Sequence, residues 1–122
     1  MHMHREHQNL QSVQSYNESQ VVIQGMSYSE SFIVGQGSIL SPWSVRSLDD
    51  LSTDDLAWVI DQKPELILLG QSHPRLHCPV LVRQHVMAQR IGLECMGIGA
   101  ACRTFNLLLQ EHRVVFLGII FS

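Results

Sequence analysis

Hydrophobic and polar positions divide the chain into strand-like and helix-like segments. Two continuous apolar runs, residues 65–70 and 114–121, are typical of strands buried on both faces of a sheet. Short β-branched and aromatic clusters between residues 21 and 40, separated by glycines, predict two or three strands joined by tight turns. A further short strand is predicted at residues 93–96.

Three segments have the spacing of a helix with one buried face. They are predicted at residues 53–61, 79–91 and 100–110. The first follows a Ser52 or Thr53 cap and must stop before Pro64, while Pro79 suits the first turn of the second. The order of elements predicts an α/β fold with an additional small β element from the N-terminal half. The strand–helix–strand unit from Glu65 to Met96 is expected to be parallel and right-handed.

The 122 residues suit one folded domain, and we assign it to residues 20–122. Residues 1–19 are rich in Gln, His, Ser and Asn, which predicts a flexible polar tail. His2, His4 and His7 in this tail could bind a transition metal, although a polar tail without a ligand is the simpler interpretation.

Charge and composition exclude several classes of protein. The formal net charge of −3 gives no basic footprint for nucleic acid. No apolar run approaches the roughly 20 residues of a membrane span, and the first residues lack a signal peptide, so a cytoplasmic location is expected. The three cysteines are odd in number and have no metal-binding spacing, which favours reduced thiols.

The stretch from Glu94 to Asn106 is the best candidate site in the sequence. We interpret it as a strand, a glycine-containing turn and the first turns of a helix. Free N–H groups at the start of that helix, together with the Arg103 guanidinium, favour a carboxylate or a phosphate. Ligands of open α/β sheets bind beyond the carboxyl ends of parallel strands, so the strand that ends at Gly70 is expected to contribute. The predicted pocket comprises Gly70, Gln71, Gly97, Gly99, Ala101, Cys102, Arg103, Thr104 and Asn106.

Cys102 allows a catalytic interpretation of the same stretch. A first-turn cysteine has a stabilised thiolate, so the pKa of Cys102 is predicted to fall below its usual value of about 8.5. A nucleophilic thiol also needs a base, and the sequence does not decide among His73, His77, His85 and His112. Alternatively, Cys102 and the two glycines serve only packing and a tight turn.

The string Ala101-Cys102-Arg103-Thr104-Phe105-Asn106, with Glu111-His112-Arg113 after it, resembles a family of small α/β domains that includes the mitochondrial complex I assembly factor 3. The likeness covers about residues 18–121. Ile33-Val34-Gly35, Pro42-Trp43 and the segment from Pro64 to Gly70 are also similar to the family. Gly97-Ile98 replaces its Asp-Thr, and Gly70-Gln71-Ser72 replaces its Gly-Thr-Gly, so two polar groups of the pocket are missing.

The resemblance implies a three-layer fold with a mixed central β-sheet, flanked by helices, whose last strand runs antiparallel to the others. It also implies a surface pocket near Gly70 and Cys102 to Asn106. The mitochondrial relative binds other proteins and does not turn over a substrate, which supports a binding role by analogy.

We therefore interpret the chain as a non-enzymatic protein of the binding or assembly type. Its expected partners are proteins or a small anionic ligand, with Arg103 and Asn106 as polar anchors and with no cofactor or metal. The alternative is a small thiol-dependent enzyme or redox sensor that uses Cys102. Pairing of two copies through exposed edge strands, which would make a homodimer, stays open.

Overall fold

The computed structural model of the chain describes residues 11–72 and 77–121, in which five strands precede a series of helices and strands that alternate. The strands are β1 (Val13–Tyr16), β2 (Val21–Ile23), β3 (Met26–Tyr28), β4 (Phe32–Gly35), β5 (Ser38–Leu40), β6 (Leu66–Gln71), β7 (Gly92–Gly97) and β8 (Val115–Ile120). The α-helices are α1 (Ala57–Ile60), α2 (Val80–Ala88) and α3 (Ile98–Gln110), and 3₁₀ helices span Leu48–Asp50 and Thr53–Leu56. His2, His4, His7 and His73 lie outside the described residues.

The central sheet has the strand order β5-β4-β8-β6-β7. β6 pairs in parallel with both β7 and β8, whereas β4 pairs antiparallel with β8 and β5. The predicted α/β fold with a mixed sheet is therefore confirmed. The implied antiparallel last strand is wrong: β8 follows a helical crossover from β7, which leads to parallel pairing, and β4 is the strand that runs against the others.

The two faces of this sheet carry different cores, because successive side chains of a strand point to opposite faces. Ile67 and Leu69 of β6 face the layer formed by α1, α2 and the 3₁₀ helices, whereas Leu68 faces α3. Phe116 and Leu117 of β8 divide between the two cores in the same way. The sheet is thus the middle of three layers, and its continuous apolar runs are buried on both faces as predicted.

A separate antiparallel sheet, β1-β2-β3, lies on the α3 side. The sequence places Val13–Tyr16 in the polar tail, but these residues form β1. Val13 is the one buried residue of this strand, so local hydrophobicity gives little sign of it. Val13–Tyr16 form a strand because they pair with β2 and contact α3.

Two hairpins share the same turn chemistry. Gln24-Gly25 joins β2 to β3, Gln36-Gly37 joins β4 to β5, and all four residues have positive φ. Two-residue loops of this kind match the twist of the strands that they connect. The N–H groups of Gly25 and Gly37 donate to the side-chain oxygens of Gln14 and Gln11, at 2.8 and 2.9 Å. Polar residues just before and within β1 therefore hold both turns.

The first predicted helix begins as the 3₁₀ helix Thr53–Leu56 and continues as α1. Ser52 caps it: the Asp55 carboxylate accepts from the Ser52 N–H at 2.8 Å and from its hydroxyl at 3.0 Å. The helix ends before Pro64, as expected. Within the described ranges, no helix combines the length and the apolar composition that crossing a membrane requires.

Candidate functional site

β7 runs directly into α3, without the glycine turn expected at Gly97-Ile98-Gly99. β7 ends at Gly97, which is the N-cap of α3 with an extended backbone (φ −66°, ψ 162°), and the helix begins at Ile98. Gly97 itself has no side chain with which to cap the N–H groups of the first turn. The helix therefore starts two residues earlier than predicted, and Gly97 and Ile98 do not form a turn.

Gly97→Asp should increase the free energy of unfolding by about 0.5–1 kcal/mol at low salt, because its carboxylate would cap α3 and complement the helix dipole. A Cβ at this position would meet nothing within 4 Å. Thermal unfolding measures the effect, and Gly97→Asn is the control that caps without charge. Equal gains for both variants at every salt concentration would contradict the dipole contribution.

Helix α3 places several predicted pocket residues in the core. Ile98, Ala101, Cys102 and Phe105 recur at i, i+3, i+4 and i+7, and all are buried. Gly70 lies beneath them, where a Cβ would come within 2.8 Å of Ala101 Cβ. Gly70, Ala101 and Cys102 therefore allow α3 to pack closely on β6.

Gln71 also has a structural role. Its side chain is only 2% exposed, and its Oε1 accepts from the Leu48 N–H at 2.7 Å. This bond holds the start of the 3₁₀ helix Leu48–Asp50 against the end of β6. The amide oxygen is thus engaged inside the fold.

The Cys102 thiol is buried, with no exposed surface. Burial raises its pKa to about 12, against the smaller opposing effect of the Arg103 charge. The predicted lowering of this pKa is wrong, because the thiol points into the core and away from the free N–H groups of the helix. Cys102 therefore lacks the lowered pKa that a nucleophilic thiol at this position would need.

A chain that carries Cys78→Ser and Cys95→Ser should react with iodoacetamide at Cys102 only when it unfolds. The raised pKa keeps the thiol protonated at pH 7–9, and packing excludes the reagent. Mass spectrometry of alkylation rates with and without denaturant tests this. A fast native reaction with an apparent pKa near 7 would restore the nucleophile interpretation.

The outer side of α3 holds β1. Asn106 Oδ1 accepts from the Val13 N–H at 2.7 Å, and Asn106 Nδ2 donates to the Val13 carbonyl at 3.0 Å. Arg103 Nη1 donates to the Tyr16 hydroxyl at 2.6 Å, and its guanidinium lies 6.0 Å from the centre of the Tyr16 ring. The two expected polar anchors therefore bind a segment of their own chain.

Of the remaining predicted residues, Gly99 lies beside Tyr16 and Thr104 contacts β7. A Cβ at Gly99 would approach Tyr16 Cε1 to 3.0 Å, and Thr104 Oγ1 donates to Met96 Sδ at 3.8 Å. Two cavities, of about 620 and 720 Å³, are lined by other parts of the chain. The structure thus places Gly70, Gln71, Ala101 and Cys102 in the core and Gly99, Arg103 and Asn106 at the β1 contact. Gly97 caps the helix, and Thr104 contacts β7.

Helix α2 has an exposed apolar surface that was not predicted from the sequence, and we call it the α2 face. Val80, Leu81 and Met87 are 67%, 77% and 61% exposed, and Gln84 and Ala88 lie among them. Val82 and Val86 occupy the opposite side of the helix and are buried. The signal was available: α2 has apolar residues on both sides, which a helix with a single buried face does not need.

A basic cleft lies beside the end of α2. The cavity of about 620 Å³ is lined by Ala57, Ile60, Asp61, Lys63, Pro64, His85, Gln89, Arg90 and Ile91. Two basic side chains, Lys63 and Arg90, and one acidic side chain, Asp61, line the cleft, so its formal charge is positive. The sequence contributes to this imbalance, because residues 66–93 contain no Asp or Glu. The α2 face is therefore apolar with basic groups at its border.

Solved structures with the same architecture are known. The chain is similar to XCC1710 of Xanthomonas campestris, with 30% identity and a TM-score of 0.79 over 90% of this chain and 83% of that one. It also matches a Bordetella pertussis protein described as a Mth938-like domain, with 20% identity and a TM-score of 0.77 over 93% and 87% of the two chains. The fold is therefore Mth938-like.

Sequence comparison adds one curated relative and one family. The relative is a "13 kDa major membrane protein" of Francisella tularensis, 26% identical over 76 residues, and the match spans 62% of each chain. The model of a family described as "Protein of unknown function (DUF498/DUF598)" matches residues 13–120. The family match includes β1 and ends with β8.

Proposed function

The chain belongs to the DUF498/DUF598 family of proteins of unknown function, and we propose that it is a binding protein that recognises a partner protein through the α2 face. The exposed apolar surface of Val80, Leu81 and Met87 carries this proposal. Single exposed apolar residues are ordinary, but a contiguous apolar helix face marks an interaction surface.

The charge around the α2 face indicates what kind of partner fits. Arg90 and Lys63 line the adjacent cleft, and Arg83 lies along the helix, where its guanidinium donates to the Leu93 carbonyl at 3.2 Å. A partner segment with apolar and acidic side chains would complement this surface. An assembly role like that of the mitochondrial relative, and the expected cytoplasmic location, belong to the same proposal.

Site-specific cross-linking tests the proposal. A photoreactive amino acid at Gln84, in the middle of the α2 face, should capture a defined protein in cells that express the full chain. The matched control position is Gln110, which is equally exposed but lies on α3 across the sheet. The cross-link should disappear when Leu81→Ser and Met87→Ser are added, while the thermal midpoint stays unchanged.

Binding of the captured protein must then be measured with purified components. The double variant should weaken the affinity at least tenfold, as expected when buried apolar anchors are lost. Identical cross-links from positions 84 and 110, or unchanged affinity of the double variant, would exclude the α2 face as the binding surface.

A membrane surface is the second candidate occupant of the same face. The name of the Francisella relative favours it, as does the combination of apolar and basic side chains. Sedimentation with vesicles of anionic phospholipid distinguishes the two. Vesicle binding that Leu81→Ser and Met87→Ser abolish, without a protein cross-link at position 84, would favour the membrane.

A further inference from the structure

Cys78 and Cys95 are brought together by the return of the chain through α2. Cys78 precedes Pro79 and the start of α2, and Cys95 is in β7. The short connection after α2 makes the helix run back along β7, so its first residues lie beside the later half of that strand. Both thiols border the same hydrophobic core.

The Cys78 and Cys95 side chains are neighbours at this point and interact directly. Hydrogen bonding with Cys95 lowers the pKa of Cys78, and the Arg83 charge adds to the effect while burial opposes it. The same contact, together with burial, raises the pKa of Cys95. Cys78 is therefore the better nucleophile of the pair, and Cys95 is a protonated thiol held next to it.

Access differs between this pair and the third thiol. Cys95 is partly exposed and Cys78 is 8% exposed, whereas Cys102 has no exposed surface. His77, next to Cys78, is exposed. Cys78 is thus largely buried, but the pair has a partly exposed side at Cys95 on β7, the edge strand of the central sheet, which Cys102 lacks.

We propose that Cys78 and Cys95 are a redox-active pair that reacts with a peroxide to form an intramolecular disulfide. The Cys78 thiolate attacks one oxygen of hydrogen peroxide, the O–O bond breaks, and the departing hydroxide takes a proton to give water. The resulting sulfenic acid is attacked by Cys95 sulfur, the S–O bond breaks, and a second water leaves with the thiol proton. Two thiols are oxidised and one peroxide is reduced.

The disulfide would link the start of α2 to β7. The closed loop contains all of α2, so the bond restricts the unfolded chain and stabilises the helix that carries the α2 face. The proposal does not depend on any partner of that face, because the chemistry is confined to the two thiols.

Intact mass spectrometry and peptide mapping test the pair directly. The reduced full chain is treated with one equivalent of hydrogen peroxide, and the product should have lost two hydrogen atoms. Trypsin cleavage at Arg75, Arg83, Arg90 and Arg103 leaves Cys95 and Cys102 in one peptide. The mapping therefore uses Cys102→Ser, in which a link between peptides 76–83 and 91–103 must join Cys78 to Cys95.

Three matched variants define the result. Cys102→Ser should lose two hydrogen atoms at the wild-type rate, whereas Cys78→Ser and Cys95→Ser should not. The oxidised wild type should unfold at a higher temperature than the reduced form, and dithiothreitol should reverse the shift. In denaturant the selectivity should vanish, because all three pairings then become accessible.

Two results would overturn the proposal. One is oxidation of Cys78 or Cys95 to sulfenic or sulfonic acid without the 78–95 link, which would mean that the sulfurs cannot reach bonding geometry. The other is survival of all three thiols until the chain unfolds, which would mean that peroxide has no access.

Discussion

Phe116→Ala is expected to lower the free energy of unfolding by about 3–5 kcal/mol, the range for removing a buried aromatic side chain. Phe116 is fully buried in β8, the middle strand of the central sheet. Its ring packs edge-to-face with Trp58, with centroids 5.8 Å apart. Since domains of this size have about 5–15 kcal/mol of stability, the variant should lose between a fifth and all of it.

Urea denaturation measures this loss, and Leu107→Ala is the matched control. Leu107 is a large apolar residue on α3 that is 56% exposed, so its truncation should change stability by no more than about 0.5 kcal/mol. A loss below about 1 kcal/mol for Phe116→Ala would mean that the core collapses to fill the space.

The close contact between Gly35 and the Phe116 ring allows a second test of the packing around Phe116. A Cβ at Gly35 would lie 2.5 Å from Phe116 Cδ2, so the ring covers the bare backbone of β4. Gly35→Ala should cost about 1–3 kcal/mol through overpacking. In the double variant with Phe116→Leu, the two losses should not add, because the smaller side chain relieves the clash.

Asn106→Ala should destabilise the chain by about 1–3 kcal/mol, because it leaves the N–H and the carbonyl of Val13 without their side-chain partner. Asn106→Asp is more informative. Its carboxylate can accept from the Val13 N–H but cannot donate to the Val13 carbonyl, so it should recover part of the loss at most.

Hydrogen exchange at the Val13 amide and urea denaturation together measure the Asn106 effect. Gln110→Ala, one turn later on the same helix and exposed, is the control that should leave both unchanged. If Asn106→Ala accelerates exchange at Val13 without changing global stability, β1 opens independently of the central sheet.

Much of the fold could be predicted because its central elements have local signals. The apolar runs of β6 and β8 are long and continuous, and buried strands have this composition. β1 could not be predicted in this way. Its order depends on Asn106, 93 residues further along the chain, and on pairing with β2. A local pattern does not contain such long-range partners.

In the candidate site, the start of α3 was predicted two residues too late. The strand at residues 93–96 was predicted correctly, but a turn was expected at Gly97 to Gly99, and this set the helix to start at residue 100. Cys102 lies next to Ala101 and three residues before Phe105, so any helix through these residues places it on their buried face. The expected low pKa of Cys102 followed from its first-turn position alone, without regard to this face. Polar groups at Arg103 and Asn106 then point toward β1 because they share the other face.

The central position of β8 affects how the chain is made. β8 is synthesised after every other described strand, yet β4 and β6 pair with it from either side. Until residues 115–120 leave the ribosome, the β4–β5 hairpin and the β6–α2–β7 unit have no strand in common, and each exposes an open apolar edge. The nascent chain therefore closes its main sheet in one late step. A chain halted before residue 115 is expected to need chaperone protection against association through those edges.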